Sequence, residues 1–192
     1  MDPDWDERYR TQGYREGREP AAFLVEVLPL LPRGRALDIA AGAGRNAVFL
    51  AENGFAVDAV DASEEGLALA RRLAADRGVS IKTIAADLPA WEPEAGAYSV
   101  VLDFSYLDRG FFERIRRALA PAGVLVFETF TTRHLELAPA RRMRREFLLE
   151  PGELAAAFVD LEILRHEEHV GRARATERLL ARKPAAPPPR AR

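Results

Sequence analysis

The chain has 192 residues, 48% of them hydrophobic and 30% charged, with a formal net charge of -2 and no cysteine. That length suits one domain with a full-sized core. The near-neutral balance gives no global pull toward nucleic acid or an anionic membrane, so a small molecule is the default partner. The lack of cysteine excludes disulfides, a nucleophilic thiol and thiolate metal ligation, and suits a reducing cytoplasm.

The start, Met1-Asp2-Pro3-Asp4-Trp5-Asp6, is acidic where an export signal is basic, which points to a cytoplasmic protein. Residues 1–33 read as a helical arm. Either the arm closes over a bound ligand with Arg8 or Tyr9 and Tyr14, or Trp5 and Tyr9, four apart, form one helix face packed on the sheet. The apolar run Ala21 to Leu31, broken by Glu26 and Pro29, is too short to span a bilayer and predicts a packed helix.

From Arg35 onward strands and helices alternate. Strand Arg35 to Ala40 precedes helix Asn46 to Asn53, strand Phe55 to Val60 precedes helix Glu64 to Arg77, and strand Ser80 to Ala85 follows. Strand Tyr98 to Asp103 leads into helix Asp108 to Leu119, which Pro121-Ala122-Gly123 stops before strand Val124 to Glu128. Five parallel strands result. A short helix opens at Pro151-Gly152-Glu153-Leu154, and the runs Leu161 to Glu168 and Thr176 to Arg182 pair as an antiparallel hairpin. Residues 1–183 thus read as a single domain, an arm over 1–33 and an α/β core over 34–183, with a proline-rich extended tail over 184–192.

In such sheets the ligand lies beyond the carboxyl ends of the strands. After the first strand, Gly42 and Gly44 let backbone approach a ligand, in a G-x-G-x-x-A pattern that resembles dinucleotide sites. Asp38, just before them, argues against pyrophosphate, because its carboxylate repels phosphate and attracts the ammonium and sulfonium of S-adenosylmethionine. Asp61, roughly twenty residues past the glycines, is placed to accept ribose hydroxyls. Ser63 is the better cap for the following helix, and Asp58, on the opposite strand face, reads as a solvated or ion-paired acid. Asp87 is either an acceptor for the adenine amine, with Leu88 donating from its backbone, or a turn aspartate before Pro89.

These segments, D-I-A-A-G-A-G-R at 38–45, V-D-A-S at 60–63, A-D-L at 86–88 and P-A-G-V-L-V-F-E-T-F at 121–130, resemble the class I S-adenosylmethionine-dependent methyltransferases over nearly the whole chain. Trp5 to Tyr9, Ser105 to Arg109 and Phe147 to Leu154 look most like the small tellurite-resistance-type enzymes. The resemblance implies a Rossmann-like three-layer sandwich with a seven-stranded, mostly parallel sheet in the order 3-2-1-4-5-7-6, strand 7 antiparallel. It implies that Asp38 and the Gly42 to Gly44 backbone hold the methionine moiety, Asp61 the ribose, and Asp87 with Leu88 the adenine. Ala40, Ala62 and Asp103 complete the implied cofactor-binding set. Two departures stand out, since Ala40 and Ala122 occupy places where the family often has glycine; alanine there calls for an ordinary backbone angle.

A sulfonium is already an activated leaving group, so such an enzyme mainly aligns an acceptor and excludes water. No metal motif or catalytic triad appears, in keeping with that chemistry. Substrate-side candidates follow strands 4 and 5: Asp103, Ser105, Tyr106, Asp108 and Arg109, then Thr129, Thr131, Arg133 and His134. Tyr106 and His134 could orient or deprotonate an acceptor; otherwise Tyr106 covers the cofactor and His134 is a loop histidine. Asp103-Phe104-Ser105-Tyr106 lacks the two prolines of the D-P-P-Y motif that grips a flipped base. Arg141-Arg142-Met143-Arg144-Arg145 reads as a solvated basic loop rather than an RNA site. The expectation is a methyltransferase for a small acceptor, monomeric or homodimeric. The alternatives are an RNA or protein methyltransferase and a cofactor-binding module without turnover.

Overall fold

The computed structural model describes residues 5–14, 17–137, 143–172 and 174–185. A seven-stranded sheet runs in the order β3-β2-β1-β4-β5-β7-β6, with β1 Arg35–Ile39, β2 Ala56–Asp61, β3 Lys82–Ala85, β4 Tyr98–Phe104, β5 Leu119–Phe130, β6 Glu162–Val170 and β7 Ala175–Arg182. Strands β1 to β5 are parallel; β7 runs antiparallel to both β5 and β6. The expected sheet order and the lone reversed strand are therefore both present.

Alternation within each strand gives the sheet two apolar faces, as burial on both sides of a parallel sheet requires. Ala36, Val57, Leu102 and Val126 meet Phe23, Leu24 and Val27 of α2 (Ala22–Val27) and Ala47 and Leu50 of α3 (Arg45–Glu52). Leu37, Ile39, Val101 and Phe127 lie on the other face, under Phe112 and Ile115 of α5 (Phe112–Ala118) and Leu154 of α7 (Glu153–Ala157). Phe112 and Phe158 close this side with ring centroids 5.1 Å apart. Helix α4 (Glu64–Asp76) sits against α3 through Val48, Leu73 and Ala74. At the amino end lies α1 (Trp5–Gln12), and α6 (His134–Leu137) follows β5.

The predicted helix over 108–119 is shorter than expected, because Arg109–Phe111 form a 3-10 turn before α5. Strand β5 begins at Leu119 rather than Val124, so Pro121-Ala122-Gly123 lie within it, at a register break between the Tyr98–Leu119 and Val100–Val124 pairs. Ala122 N–H donates to the Lys183 carbonyl and Lys183 N–H to that of Gly123, tying the break to the end of β7. These bonds hold Ala122 at φ 62°. Ala40 stands at φ 51°, where the chain leaves β1 and Ala41 N–H turns to the Val60 carbonyl. The expectation of ordinary angles at both alanines is thus wrong: the path of the chain imposes the left-handed region at each, at a cost of roughly 1–2 kcal/mol per residue. Of the proline-rich tail, 186–192 lie outside the described residues, as do Arg141 and Arg142 of the arginine cluster. Arg144 and Arg145 pair with Glu146 and Glu150.

Candidate functional site

The carboxyl ends of β1, β2 and β4 carry three buried acids, Asp38, Asp61 and Asp103. Strand register offsets Asp38 and Asp103 by one residue on adjacent strands, since Ile39 pairs with Asp103 and Asp38 with Leu102, yet they are near enough for the Asp38 charge to act on Asp103. Asp38 accepts the Ala47 N–H, yet its Oδ2 has no hydrogen-bond partner among the described residues; the same holds for Asp103 Oδ1. Burial pushes Asp38 up to about 7, against the opposing effects of the Ala47 N–H and the Arg45 charge. Burial, reinforced by the Asp38 charge, pushes Asp103 well above the usual carboxylate range. Desolvation is the cause in both cases, so a positive charge brought to this spot would draw both acids back to their ionised forms.

Between Asp38 and α3 the backbone forms a tight loop. A side chain at Gly44, which has φ 78°, would put its Cβ 2.5 Å from the Ala70 Cβ and 3.0 Å from the Ala70 Cα of α4. Gly42, at φ 53°, faces the hydroxyl of Tyr9. The loop is tied to the end of β2, where the two oxygens of Asp61 accept N–H groups from Gly42 and Ser63, each at 2.8 Å. Burial nevertheless outweighs these bonds and raises the Asp61 pKa. Ser63 caps α4 as predicted, its Oγ accepting the Gly66 N–H at 3.0 Å.

Asp58 faces the opposite side of β2 and is ion-paired, as its strand parity suggested, with Arg35 at 2.7 Å and the Tyr98 hydroxyl donating to it at 3.0 Å. Ala62 is exposed beside Asp61. Asp87 is exposed and its carbonyl accepts the Ala90 N–H, so its backbone makes the turn before Pro89; Leu88 is buried beneath it.

The substrate-side candidates separate. Ser105, at φ 64°, is held by its N–H donating to the Glu128 carbonyl at 2.9 Å. Tyr106 is half-buried, and burial with the nearby Asp108, Asp103 and Asp87 charges drives its phenol further from ionisation; it is a hydrogen-bond donor at neutral pH. Asp108 and Arg109 are braces. Asp108 Oδ1 accepts the Gly110 N–H at 2.8 Å, while Arg109 donates to Glu153 at 2.9 Å and to the Leu148 carbonyl at 3.0 Å. Thr129 and Thr131 are buried, and Arg133 pairs with Glu168 at 2.8 Å. His134 is not a loop histidine. It opens α6, fully buried, with its ring 4.6 Å from that of Phe130, because the chain folds back over β5 there.

The amino-terminal arm docks on α4 rather than on the sheet. Asp6 accepts the Ser63 hydroxyl at 2.6 Å and the Glu65 N–H at 3.2 Å, bonds that lower its pKa, and Tyr14 donates to the Leu69 carbonyl at 3.2 Å. Arg8 lies over the Trp5 ring. Tyr9 reaches the glycine loop, resting over Gly42 and against Gly66.

The sequence reading missed Arg45, Glu128, Arg174 and Arg178. Glu128 and Arg178 are buried and 3.3 Å apart. Their signal was a charged residue on each of two strands, but only the pairing of Glu128 with Arg178 across β5 and β7 turns it into one site.

Residues 36–123 match the family model described as a methyltransferase domain, a stretch that runs from the second residue of β1 through β4 and holds Asp38, Asp61, Asp87 and Asp103. No curated protein matches the chain. Among solved structures it is similar to TehB from Haemophilus influenzae, with a TM-score of 0.73 at 18% identity over 93% of this chain and 67% of that one. A structure from work on converting a disulfide bond into a thioacetal group during echinomycin biosynthesis gives 0.71 at 21% identity, over 96% and 93%. The magnesium protoporphyrin IX methyltransferase of Synechocystis, with bound S-adenosylhomocysteine, gives 0.67 at 19% identity, over 84% and 78%.

Proposed function

From a chain with the class I methyltransferase fold and a methyltransferase-domain match over 36–123, we propose that this protein is an S-adenosylmethionine-dependent methyltransferase acting on a small-molecule acceptor. The observation that carries the reading is the pair of buried, half-satisfied carboxylates, Asp38 and Asp103, at the ends of adjacent central strands. Buried acids without full partners are costly unless a complementary charge joins them. A ligand with both an ammonium and a sulfonium supplies that complement, and a dinucleotide pyrophosphate would worsen the repulsion.

In this reading Asp38, Ala40 and the Gly42 to Gly44 backbone hold the methionine moiety, with Asp103 beside it. Asp61 and Ala62 take the ribose, Asp87 and Leu88 the adenine. When bound, the cofactor supplies an activated methyl group; the protein's task is alignment and exclusion of water. Tyr106 stays protonated and orients by donating a hydrogen bond. His134, enclosed against Phe130, serves packing rather than proton transfer.

The test is calorimetry of the full chain with S-adenosylmethionine, S-adenosylhomocysteine and NAD, followed by a screen of thiols, amines, phenols and carboxylates for release of S-adenosylhomocysteine. Binding of the first two and turnover on one acceptor class are expected. Tight NAD binding with no response to S-adenosylmethionine overturns the cofactor; binding without turnover on any acceptor makes the chain a binding module. Loss of turnover in His134→Ala beyond its loss of folded protein would return His134 to the mechanism.

A further inference from the structure

A second recess opens on the α2 face of the sheet, a cleft of about 170 Å³ beyond the ends of β4, β5 and β7. Its wall carries Arg45, Arg174, Arg178 and His169, with Glu128 the one acid and Phe104 an apolar floor. Arg45 directly follows Gly44, so the cleft adjoins the glycine loop, and Phe104 follows Asp103 on the opposite face of β4.

The arginines are built in rather than splayed on the surface. Arg178 is 7% exposed, with Glu128 and Glu167 each 3.3 Å away, and its charge is matched. Arg174 stacks on the Phe130 ring, Cζ 4.9 Å from the centroid, and pairs with no carboxylate among the described residues. The Nε of Arg174 is buried without a hydrogen-bond acceptor among those residues, whereas that of Arg178 faces Glu128 Oε1. A guanidinium that lines a cleft with no carboxylate partner calls for an oxygen anion, and its planar fork favours a carboxylate. The larger cleft nearby, of about 330 Å³ against α3 and α4, makes no such demand: Arg18 pairs with Asp76, and Arg77 with Glu19 and Glu52.

We propose that this cleft is an anchoring site for the carboxylate of the methyl acceptor, with Arg174 gripping the anion, Arg178 held beside it by Glu128, and Phe104 under its apolar body. The proposal rests on the methyltransferase reading for the word acceptor, and on the cleft itself for the carboxylate. Its size fits, since a dry cavity of roughly 150 Å³ holds a benzene ring. Glu128 works against the anion and sets the affinity.

The experiment titrates benzoate, benzamide and inorganic phosphate into the full chain by calorimetry, with and without saturating S-adenosylhomocysteine. Benzoate is expected to bind and benzamide not. Arg174→Gln should weaken benzoate by roughly tenfold or more while leaving S-adenosylhomocysteine affinity within about twofold. Glu128→Gln, which removes the opposing charge, should tighten benzoate, a gain that misfolding cannot mimic. Equal binding of benzoate and benzamide, no loss in Arg174→Gln, or phosphate binding without benzoate overturns the proposal. Loss of S-adenosylhomocysteine binding in Arg174→Gln overturns it also, assigning the cleft to the cofactor. Failure of S-adenosylhomocysteine to bind the unmodified chain counts against the methyltransferase reading alone, because the arm without it still reports on the cleft.

Discussion

Asp61, the last residue of β2, accepts the N–H of Gly42, in the loop that leaves β1, at 2.8 Å through Oδ2. With Oδ1 on the Ser63 N–H, one carboxylate therefore fixes both the glycine loop and the entry to α4. The acid proposed to take the ribose is also the clasp that shapes the methionine side of the site.

Asp61→Ala should accordingly lower both stability and cofactor affinity. Two buried N–H groups would lose their acceptor, at about 1–3 kcal/mol each. Denaturant unfolding should show a loss of roughly 2–6 kcal/mol, and calorimetry a weaker binding of S-adenosylhomocysteine. Undiminished stability would mean that the clasp does not hold the loop.

Asp38 should behave in the opposite way. Its pKa is raised to about 7 from an ordinary 3.8, so its contribution to stability is fully present below the ordinary value and is lost as pH rises through about 7. A cation bound beside it displaces the proton. S-adenosylmethionine affinity should then rise from about pH 6 to about pH 8, with a proton released on binding. Asp38→Asn should flatten that profile, keep or raise the melting temperature at about pH 8, and weaken the cofactor by roughly tenfold or more. Calorimetry in buffers of different ionisation enthalpy reads the proton directly.

The two loop glycines should fail differently. At Gly44 an added Cβ meets the Ala70 Cβ and Cα of α4, so Gly44→Ala should cost about 2–5 kcal/mol, combining left-handed strain with overpacking. At Gly42 the obstacle is the Tyr9 ring, the movable end of a side chain. Gly42→Ala should cost only about 1–2 kcal/mol, while amide exchange over residues 5–12 accelerates as the arm is displaced. Equal destabilisation of both variants would show that Tyr9 is fixed.

Ala122→Gly should stabilise the protein. Relief of left-handed strain at φ 62° gains roughly 1–2 kcal/mol, offset by about 0.4–1 kcal/mol from the freer unfolded chain. The melting temperature should rise by about 1–4 °C. Ala122 is exposed and lies far along β5 from the acids, so cofactor affinity should not change. A fall in melting temperature would place the turn outside the strained region.

The sequence by itself determined what is local and periodic. Alternating apolar runs set the strands and the reversed hairpin, the Ser63 cap set the start of α4, and acids closing successive strands marked the ligand-binding end, because strand parity and turn chemistry act within a few residues. Family resemblance added the strand order. Only the tertiary structure decided what depends on distant partners. It bound the chain at Ala40 and Ala122 into left-handed turns, through the Val60 carbonyl of β2 and the Lys183 carbonyl just past β7, and folded His134 against Phe130. It turned the arm onto α4 through Asp6 and Ser63, and it set Glu128 against Arg178 beside Arg174 in one cleft. Burial, too, is a property of the assembled sheet. The charge of Asp38 was legible in the sequence, but the desolvation that holds its proton arises only when β1 lies between β2 and β4.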